Sequence, residues 1–414
     1  MRSKVTLYLL IACFIAVDIY VFQAFKTAIV PSRPLWKYVL WGFYWAIALA
    51  SWLAMYLLPL WFERATGSWK YILVTLLLGL FIGKILTLCF LLIDDLRRGG
   101  SWLYHLVQKK ETAVPEAARG ISRSRFLSRL GLLVGGSFLG LMIYGFSNKY
   151  NYRVHKVKLR FPNLPEAFHG LKILQLSDIH SGSFDAPEKV QKGIEKALAL
   201  QPDVIFFTGD LVNSRTEEMV GYQHIFGQLS APMGVYSILG NHDYGDYADW
   251  PSKAAKAANL QRLKDIQAAM GWKMLNNAHV TLEKDGQKIG LVGVENWSAK
   301  ARFPRYGDMQ KAIAGMEPVP FKILLSHDPS HWDAQVRPQY PDIDLMLSGH
   351  THGMQFGVEI PGIKWSPIQY MYPEWAGLYR QGHQCLYVNR GFGFLGYPGR
   401  VGILPEITLI ELGG

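Results

Sequence analysis

Cysteine is nearly absent, with three in 414 residues, and Cys13 and Cys89 lie inside apolar runs. Cys385 is therefore alone in the more polar part of the chain, which excludes an internal disulfide there and leaves no thiolate cluster for a soft metal. Acidic residues are also in the minority, 32 against 43 lysines and arginines, for a formal net charge of +11. Such a bias would suit nucleic acid or an anionic membrane surface. Many of the cations flank apolar runs, so membrane anchoring accounts for them and no nucleic-acid partner is required. Charge is missing entirely from Tyr38 to Phe62.

That run is one of four long enough to cross a bilayer, which takes about 20 apolar residues. The expected spans are 5–25, 38–62, 71–93 and 126–146, within a transmembrane region at 1–150. No small-x-small cleavage site follows the first, which argues against a removable signal. The segment from Asp95 to Arg125 holds seven cations: Arg97, Arg98, Lys109, Lys110, Arg119, Arg123 and Arg125. Placed in the cytoplasm by the positive-inside rule, it sends both termini and everything after the fourth span outward. Ser122-Arg-Ser-Arg-Phe-Leu127 also looks like a degenerate twin-arginine export signal, although ordinary positive-inside flanking explains it equally well. The expected location is the inner membrane of a bacterium, with the following domain extracytoplasmic. Asp18 and Lys84 interrupt the first and third spans at matching depth, where pairing would relieve the cost of an isolated charge in lipid. Gly79 and Gly83 form a small-xxx-small face for close helix approach.

Beyond Asn151 the texture becomes that of an α/β domain, expected over 151–414. Five β-prone runs end abruptly in polar residues: at Asp178 and His180, at Asp210, at Asn241, at His327, and at His350 and His352. Ligands of α/β sheets bind beyond the carboxyl ends of strands. Five such ends delivering carboxylate, imidazole and amide oxygen point to a metal cluster. The donor set suits manganese, iron or zinc.

The ordered series D-x-H, G-D, G-N-H-D, a single His and G-H-T-H-G resembles the calcineurin-like metallophosphoesterases. Gly377-Leu-Tyr379, Leu386-Tyr-Val388 and Pro405-Glu-Ile-Thr408 are similar to their bacterial membrane-associated branch. The resemblance covers roughly Tyr152 to Leu412. It implies a four-layer α/β/β/α sandwich with two mixed sheets and a centre of two divalent ions. Asp178, His180 and His352 would hold the first ion; Asn241, His327 and His350 the second; Asp210 both. His242 would face the leaving oxygen as the catalytic acid. The family's second motif often ends in an aspartate that orients this histidine, whereas Asn213 stands here; an asparagine could still hold the ring by hydrogen bonding, and Asp243 is an available substitute. The implied reaction is hydrolysis of a phosphoester or pyrophosphate by direct transfer to metal-activated water.

Substrate-side expectations rest on residue type alone. Arg390 and Arg400, among glycines, could hold an anionic group. Trp297, Phe303 and Tyr306 share a basic loop with Lys300, Arg302 and Arg305 that could meet lipid. Trp365, Tyr370, Tyr372 and Trp375 could line an apolar groove. His279, His331 and His383 fit no ligand position. The expected substrate is a phosphorylated small molecule or a phospholipid, met beside the membrane. A cytoplasmic-facing nucleotide-lipid pyrophosphatase is the alternative, and a catalytically silent metal-binding sensor or scaffold the reading from another class.

Overall fold

The computed structural model describes residues 2–29, 33–61, 69–108 and 122–414. Lys109, Lys110 and Arg119 of the basic loop lie outside them. The chain divides into two compact units, Met1–Tyr144 and Gly145–Gly414.

The first unit is built from α1 (Arg2–Ala28), α2 (Pro34–Trp61), α3 (Trp69–Gln108) and α4 (Arg123–Gly145). All four are long and apolar enough to cross a membrane. α3 runs well past the expected end at Ile93. Its polar extension is carried by pairs one turn apart, Arg97 with Asp94 at 2.9 Å and Arg98 with Asp95 at 3.7 Å. Asp18 and Lys84 meet as expected, Nζ to Oδ1 at 2.5 Å. The Tyr44 hydroxyl and the Trp52 indole N–H also donate to the Asp18 carboxylate, at 3.1 and 2.9 Å. The small-residue face of α3 packs on α4 so closely that a Cβ at Gly83 would stand 2.6 Å from the Gly135 carbonyl oxygen. Thr87 Oγ1 donates to the Gly131 carbonyl across the same seam, at 3.0 Å.

The second unit holds two six-stranded sheets. One has the order β1 (Arg153–Arg160), β14 (Glu406–Gly413), β2 (Lys172–Leu176), β3 (Val204–Phe207), β4 (Val235–Ser237) and β5 (Trp272–Met274). Within it β2 to β5 are parallel, and β14 returns from the chain's end to lie antiparallel to β2. The other has the order β12 (Gly377–Gln381), β13 (Gln384–Val388), β9 (Leu345–Ser348), β8 (Lys322–Leu325), β7 (Gln287–Gly293) and β6 (Ala278–Lys284). Its middle strands β13, β9, β8 and β7 are parallel. Both sheets are therefore mixed. A separate hairpin pairs β10 (Val358–Ile360) with β11 (Ile363–Trp365).

Alternation along the strands explains the layers, because successive side chains point to opposite faces. Ile173, Val204 and Phe206 enter one core with Ile323, Leu325, Leu345 and Leu347, so this core lies between the sheets. Their neighbours Leu174, Leu176, Ile205 and Phe207 turn outward onto Val190, Ile194 and Ala197 of the helix Pro187–Leu198 and onto Leu263 of the helix Lys253–Ala269. Leu324 and Met346 turn the other way, onto Met309, Ala312 and Trp332. The result is helix, sheet, sheet, helix: the four-layer sandwich, with near-continuous apolar strands as expected for strands covered on both faces. Ser252 caps the helix Lys253–Ala269 by accepting the Ala255 N–H at 3.1 Å.

Candidate metal centre

All seven donors lie two to four residues past the carboxyl ends of β2, β3, β4, β8 and β9. The turns that carry them are not ordinary. Asp178, His180, Asp210, His350 and His352 all have positive φ, between 50° and 72°. Left-handed backbone at a non-glycine residue costs on the order of 1–3 kcal/mol and persists only where surroundings enforce it. Here neighbouring turns hold one another. The Asp178 N–H donates to Gly209 O at 2.9 Å, the His180 N–H to Asp210 O at 3.1 Å, and the Gly393 N–H to Asp178 O at 2.8 Å.

Two groups result, buried except for the half-buried His350. Asp178, His180 and His352 bring one donor atom each within 4.8 Å of one another, and Asp210, His327 and His350 do the same. Asp210 Oδ2 faces both groups, 3.5 Å from His180 Nε2 and 3.1 Å from His327 Nε2. Its other oxygen accepts the His242 N–H at 2.9 Å, which fixes the carboxylate plane. Asn241 Nδ2 donates to the Tyr247 hydroxyl at 3.0 Å, leaving the amide oxygen as the group turned elsewhere. Among the described residues, Asn241 Oδ1 is buried without a hydrogen-bond partner, while His180 Nε2 and His352 Nε2, also buried, face only carboxylates, Asp210 at 3.5 Å and Asp178 at 3.2 Å. A buried polar atom without a partner carries a desolvation penalty of about 1–3 kcal/mol, so three lone-pair donors together call for an electrophile. Divalent cations fit this donor set.

Supporting contacts set the tautomers. The His327 Nδ1–H donates to the Thr208 carbonyl at 2.7 Å, and the His180 Nδ1–H to Asn213 Oδ1 at 3.1 Å. In each ring Nε2 is thereby presented inward as the lone-pair donor. His350 Nε2 lies 3.5 Å from Asp328 and 3.0 Å from the Tyr372 hydroxyl, which itself donates to Asp328 at 3.2 Å. Burial depresses the pKa values of His180 and His350 and so keeps those rings neutral. Burial would raise Asp178, but the neighbouring His352 outweighs it and holds the carboxyl well below the usual range. His327 is pushed up to about 10, since Asp210 overcomes the opposing effect of burial. Metal binding requires ionised carboxylates and neutral imidazoles, so a cation bound at His327 would displace the Nε2 proton that Asp210 retains there.

Several sequence expectations need correction. Asp243 does not substitute for the missing aspartate. Its carboxylate accepts four backbone N–H groups, from Asp210, Leu211, Val212 and Gly240, at 2.8 to 3.2 Å. Burial followed by the charge of Asp210 raises its pKa to about 7. The partner of His242 is instead the Asn213 carbonyl, 2.7 Å from Nδ1, so the main chain does the orienting. Arg390 is not placed to hold a substrate anion either. It is buried and paired with Glu406 and Glu359, each at 2.5 Å. Arg400 is fully buried and donates to the carbonyls of Arg390, Gly391 and Gly393, with Nη2 standing 3.3 Å from His352 Nδ1. Both arginines build the loop behind His352. Tyr372 and Trp375 are buried, whereas Trp365 and Tyr370 are exposed. In the basic loop, Arg305 donates to Ser298 O and Trp297 stacks on His331, so these are structural. His279, His331 and His383 bond Ala312 O, Ser326 Oγ and Pro341 O. Asp328, Tyr247 and Glu218, whose carboxylate caps the N–H groups of Asn213, Ser214 and Arg215, escape sequence reasoning. Only the position of Asp328, directly after His327, signals its role.

Comparison with known proteins places this geometry in a wider set. Residues 171–354 match the family model described as "Calcineurin-like phosphoesterase", and residues 1–149 match "Probable Calcineurin-like phosphoesterase, transmembrane domain". "Transmembrane protein with metallophosphoesterase domain" of Danio rerio is 32% identical over 315 residues, covering 74% of this chain and 67% of the relative. "Uncharacterized metallophosphoesterase YkuE" of Bacillus subtilis is 30% identical over 306 residues, covering 70% of this chain and 98% of the relative. "UDP-2,3-diacylglucosamine pyrophosphatase LpxG" of Chlamydia trachomatis is 30% identical over 280 residues, covering 56% and 81%. With four apolar helices joined to a two-sheet domain that gathers buried Asp, His and Asn donors, the chain belongs to the calcineurin-like metallophosphoesterases, membrane-associated hydrolases of phosphoesters.

Proposed function

We propose that Asp178, His180 and His352 hold one divalent ion, that Asn241, His327 and His350 hold a second, and that Asp210 bridges them. The observation carrying this reading is the gathering of Asp178, His180 and His352 in one donor group and of Asp210, His327 and His350 in a second, with Asp210 Oδ2 3.5 Å from His180 Nε2 and 3.1 Å from His327 Nε2. Manganese, iron and zinc suit such an oxygen and nitrogen set. When bound, two such ions clamp a phosphoryl group and lower the pKa of water. The rest falls to the chain. Asp210, held by the His242 N–H, keeps both donor groups in register. His242, with Nδ1 bonded to the Asn213 carbonyl, offers Nε2 to the leaving oxygen as the general acid. Phe303 stands edge-on to His350, ring centroids 4.7 Å apart, and brings Arg302 to the rim of the site. Arg302 and Lys300 are exposed, with Lys300 Nζ 5.4 Å from the ring centroid of Tyr372 beside His350. They are the cations left to meet the anionic part of a substrate.

The substrate proposed is a phosphoester or pyrophosphate of a lipid or envelope component, cleaved outside the cytoplasm. Loop charge supports this orientation: Arg97, Arg98, Arg123 and Arg125 border the loop assigned to the cytoplasm. A second reading is a cytoplasmic-facing nucleotide-lipid pyrophosphatase, favoured by the similarity to LpxG. A topology reporter placed after Gly414 separates them: activity only outside the cytoplasm supports the first, and activity only inside supports the second. The site itself is tested by a substrate screen on metal-loaded full-length protein with Asp210→Asn as control. Hydrolysis abolished by that substitution supports the proposal. No hydrolysis of any aryl phosphomono- or diester by the native protein would instead support the silent-scaffold reading.

A further inference from the structure

The hairpin β10–β11 is inside out. Val358 pairs with Trp365, Glu359 with Lys364, and Ile360 with Ile363, around a Pro361-Gly362 turn in which Gly362 has φ +82°. In a hairpin that leaves one face in water, the polar members of such alternation face out. β6–β7 obeys this rule, exposing Glu283, Gln287 and Lys288 near its tip. In β10–β11 the apolar set faces out: Ile360 and Ile363 are 55% and 54% exposed, beside exposed Val358 and Trp365. The charged set turns to the opposite face, with Glu359 half-buried and Lys364 reaching back along the domain. Glu359 pairs with buried Arg390, and Lys364 donates to the Ala376 carbonyl while lying 4.9 Å from the Trp375 ring centroid. A one-residue slip would hide the isoleucines but break both anchors, so the exposure is built into the register.

Tyr370 and Met371 extend the patch, at 78% and 52% exposed, and Met354 adds to it from the turn after His352. Contiguous exposed apolar surface of this kind marks a docking site. Its composition names the occupant. Isoleucine, valine and methionine edged by tryptophan and tyrosine match the interfacial zone of a bilayer, where aromatic rings sit at headgroup level. Position agrees. The chain enters this unit at Gly145, whose carbonyl accepts the Arg400 N–H at 2.9 Å; the next residue, Val401, bridges Phe356, two residues before the hairpin begins. The hairpin thus stands beside the point where the chain arrives from its last apolar helix.

We infer that the hairpin Val358–Trp365, with Tyr370 and Met371, inserts into the lipid interface. It is fastened to the candidate centre at both ends. Gly357 N–H donates to Val401 O at 2.9 Å, and Ser366 Oγ donates to Gly353 O at 2.8 Å, directly after His352. Insertion therefore holds the His352 turn at membrane level, where a phosphoryl group attached to a lipid would meet it. The inference stands on membrane anchoring and on this register, not on the substrate proposed above.

The test uses the full chain reconstituted in vesicles of phosphatidylethanolamine and phosphatidylglycerol. The photoreactive residue p-benzoylphenylalanine is placed in turn at Ile360, at Ile363 and, as a water-facing control, at Lys288, with circular dichroism checking the fold. Illumination is expected to give phospholipid adducts at the two isoleucine positions at least about tenfold above the control, as for a side chain lying in the acyl boundary. An adduct to a second protein chain, or adduct yields no higher than at Lys288, would overturn the inference. Neither result depends on turnover, so failure here leaves the proposed chemistry standing.

Discussion

Both units bury aspartate, and they treat it in opposite ways. In the membrane unit Asp18 is completely answered: Lys84, Tyr44 and Trp52 each supply a donor to its two oxygens. In the catalytic unit Asp210 faces His180, whose Nε2 has no hydrogen-bond partner among the described residues, and His327, whose Nε2 otherwise meets the ring of His350. The first is a closed pair, whose worth lies in not leaving a charge alone in lipid. The second is an open cluster held by strained backbone. Burial of charge alone does not separate a structural group from a functional one; the count of unanswered lone pairs does.

If that distinction holds, the largest effect belongs to the open cluster. Asp210→Asn should lower phosphoesterase activity by at least about a thousandfold, since it removes the group proposed to bridge the two ion sites. The chain should still fold, as circular dichroism would show. Closed networks should fail through stability instead. Arg390→Met leaves Glu406 and Glu359 without their cation and should destabilise the catalytic unit by about 3–5 kcal/mol, read by denaturant titration. In the membrane unit Asp18→Asn alone should cost about 2.5–3.5 kcal/mol by stranding Lys84, and adding Lys84→Met should recover most of it. If the double variant were no better than the single one, the pair would not be closed in the sense argued.

A smaller effect tests burial without a charge partner. His331 is buried and its pKa is depressed to about 4 by that burial, below the unfolded value of 6.5. Its contribution is complete above pH 6.5 and lost as pH falls from there towards 4, because the unfolded chain binds the proton first. The loss is up to about 3 kcal/mol, and His331→Gln should flatten that part of the stability profile. The smallest effect is expected at Asn213. Because the carbonyl rather than the side chain holds His242, Asn213→Ala should change kcat less than about threefold, while weakening metal affinity about tenfold through His180.

Much of this was legible in the chain itself. The five strands could be read because each is a short β-prone run ending in a ligand type, and the sandwich followed from the family motif. The pairing of Asp18 with Lys84 could be read because span length fixes depth. Other features had no local signal. The positive φ of Asp178, His180, Asp210, His350 and His352 is imposed by neighbouring turns, and none of these residues is glycine. Asn213 misled because a substitution changes a side chain, while the working contact is made by the backbone. Arg390 and Arg400 misled because cations among glycines near a site look like anion holders. The partners of Arg390, Glu406 and Glu359, lie 16 and 31 residues away, and Arg400 meets backbone carbonyls, so neither shows itself except in the folded chain. α3 outran its expected end because the charges that end a membrane segment, Asp94 to Arg98, pair along the helix and prolong it.

The central claim is an open cluster of seven donors made for two ions. Its most direct test is the metal content per chain of full-length protein after equilibrium dialysis against manganese, for the native chain and for His180→Ala. The account predicts about two equivalents in the native protein and about one in the variant, with the second group still loaded. One equivalent or none in the native protein, or no change on substituting His180, would contradict it.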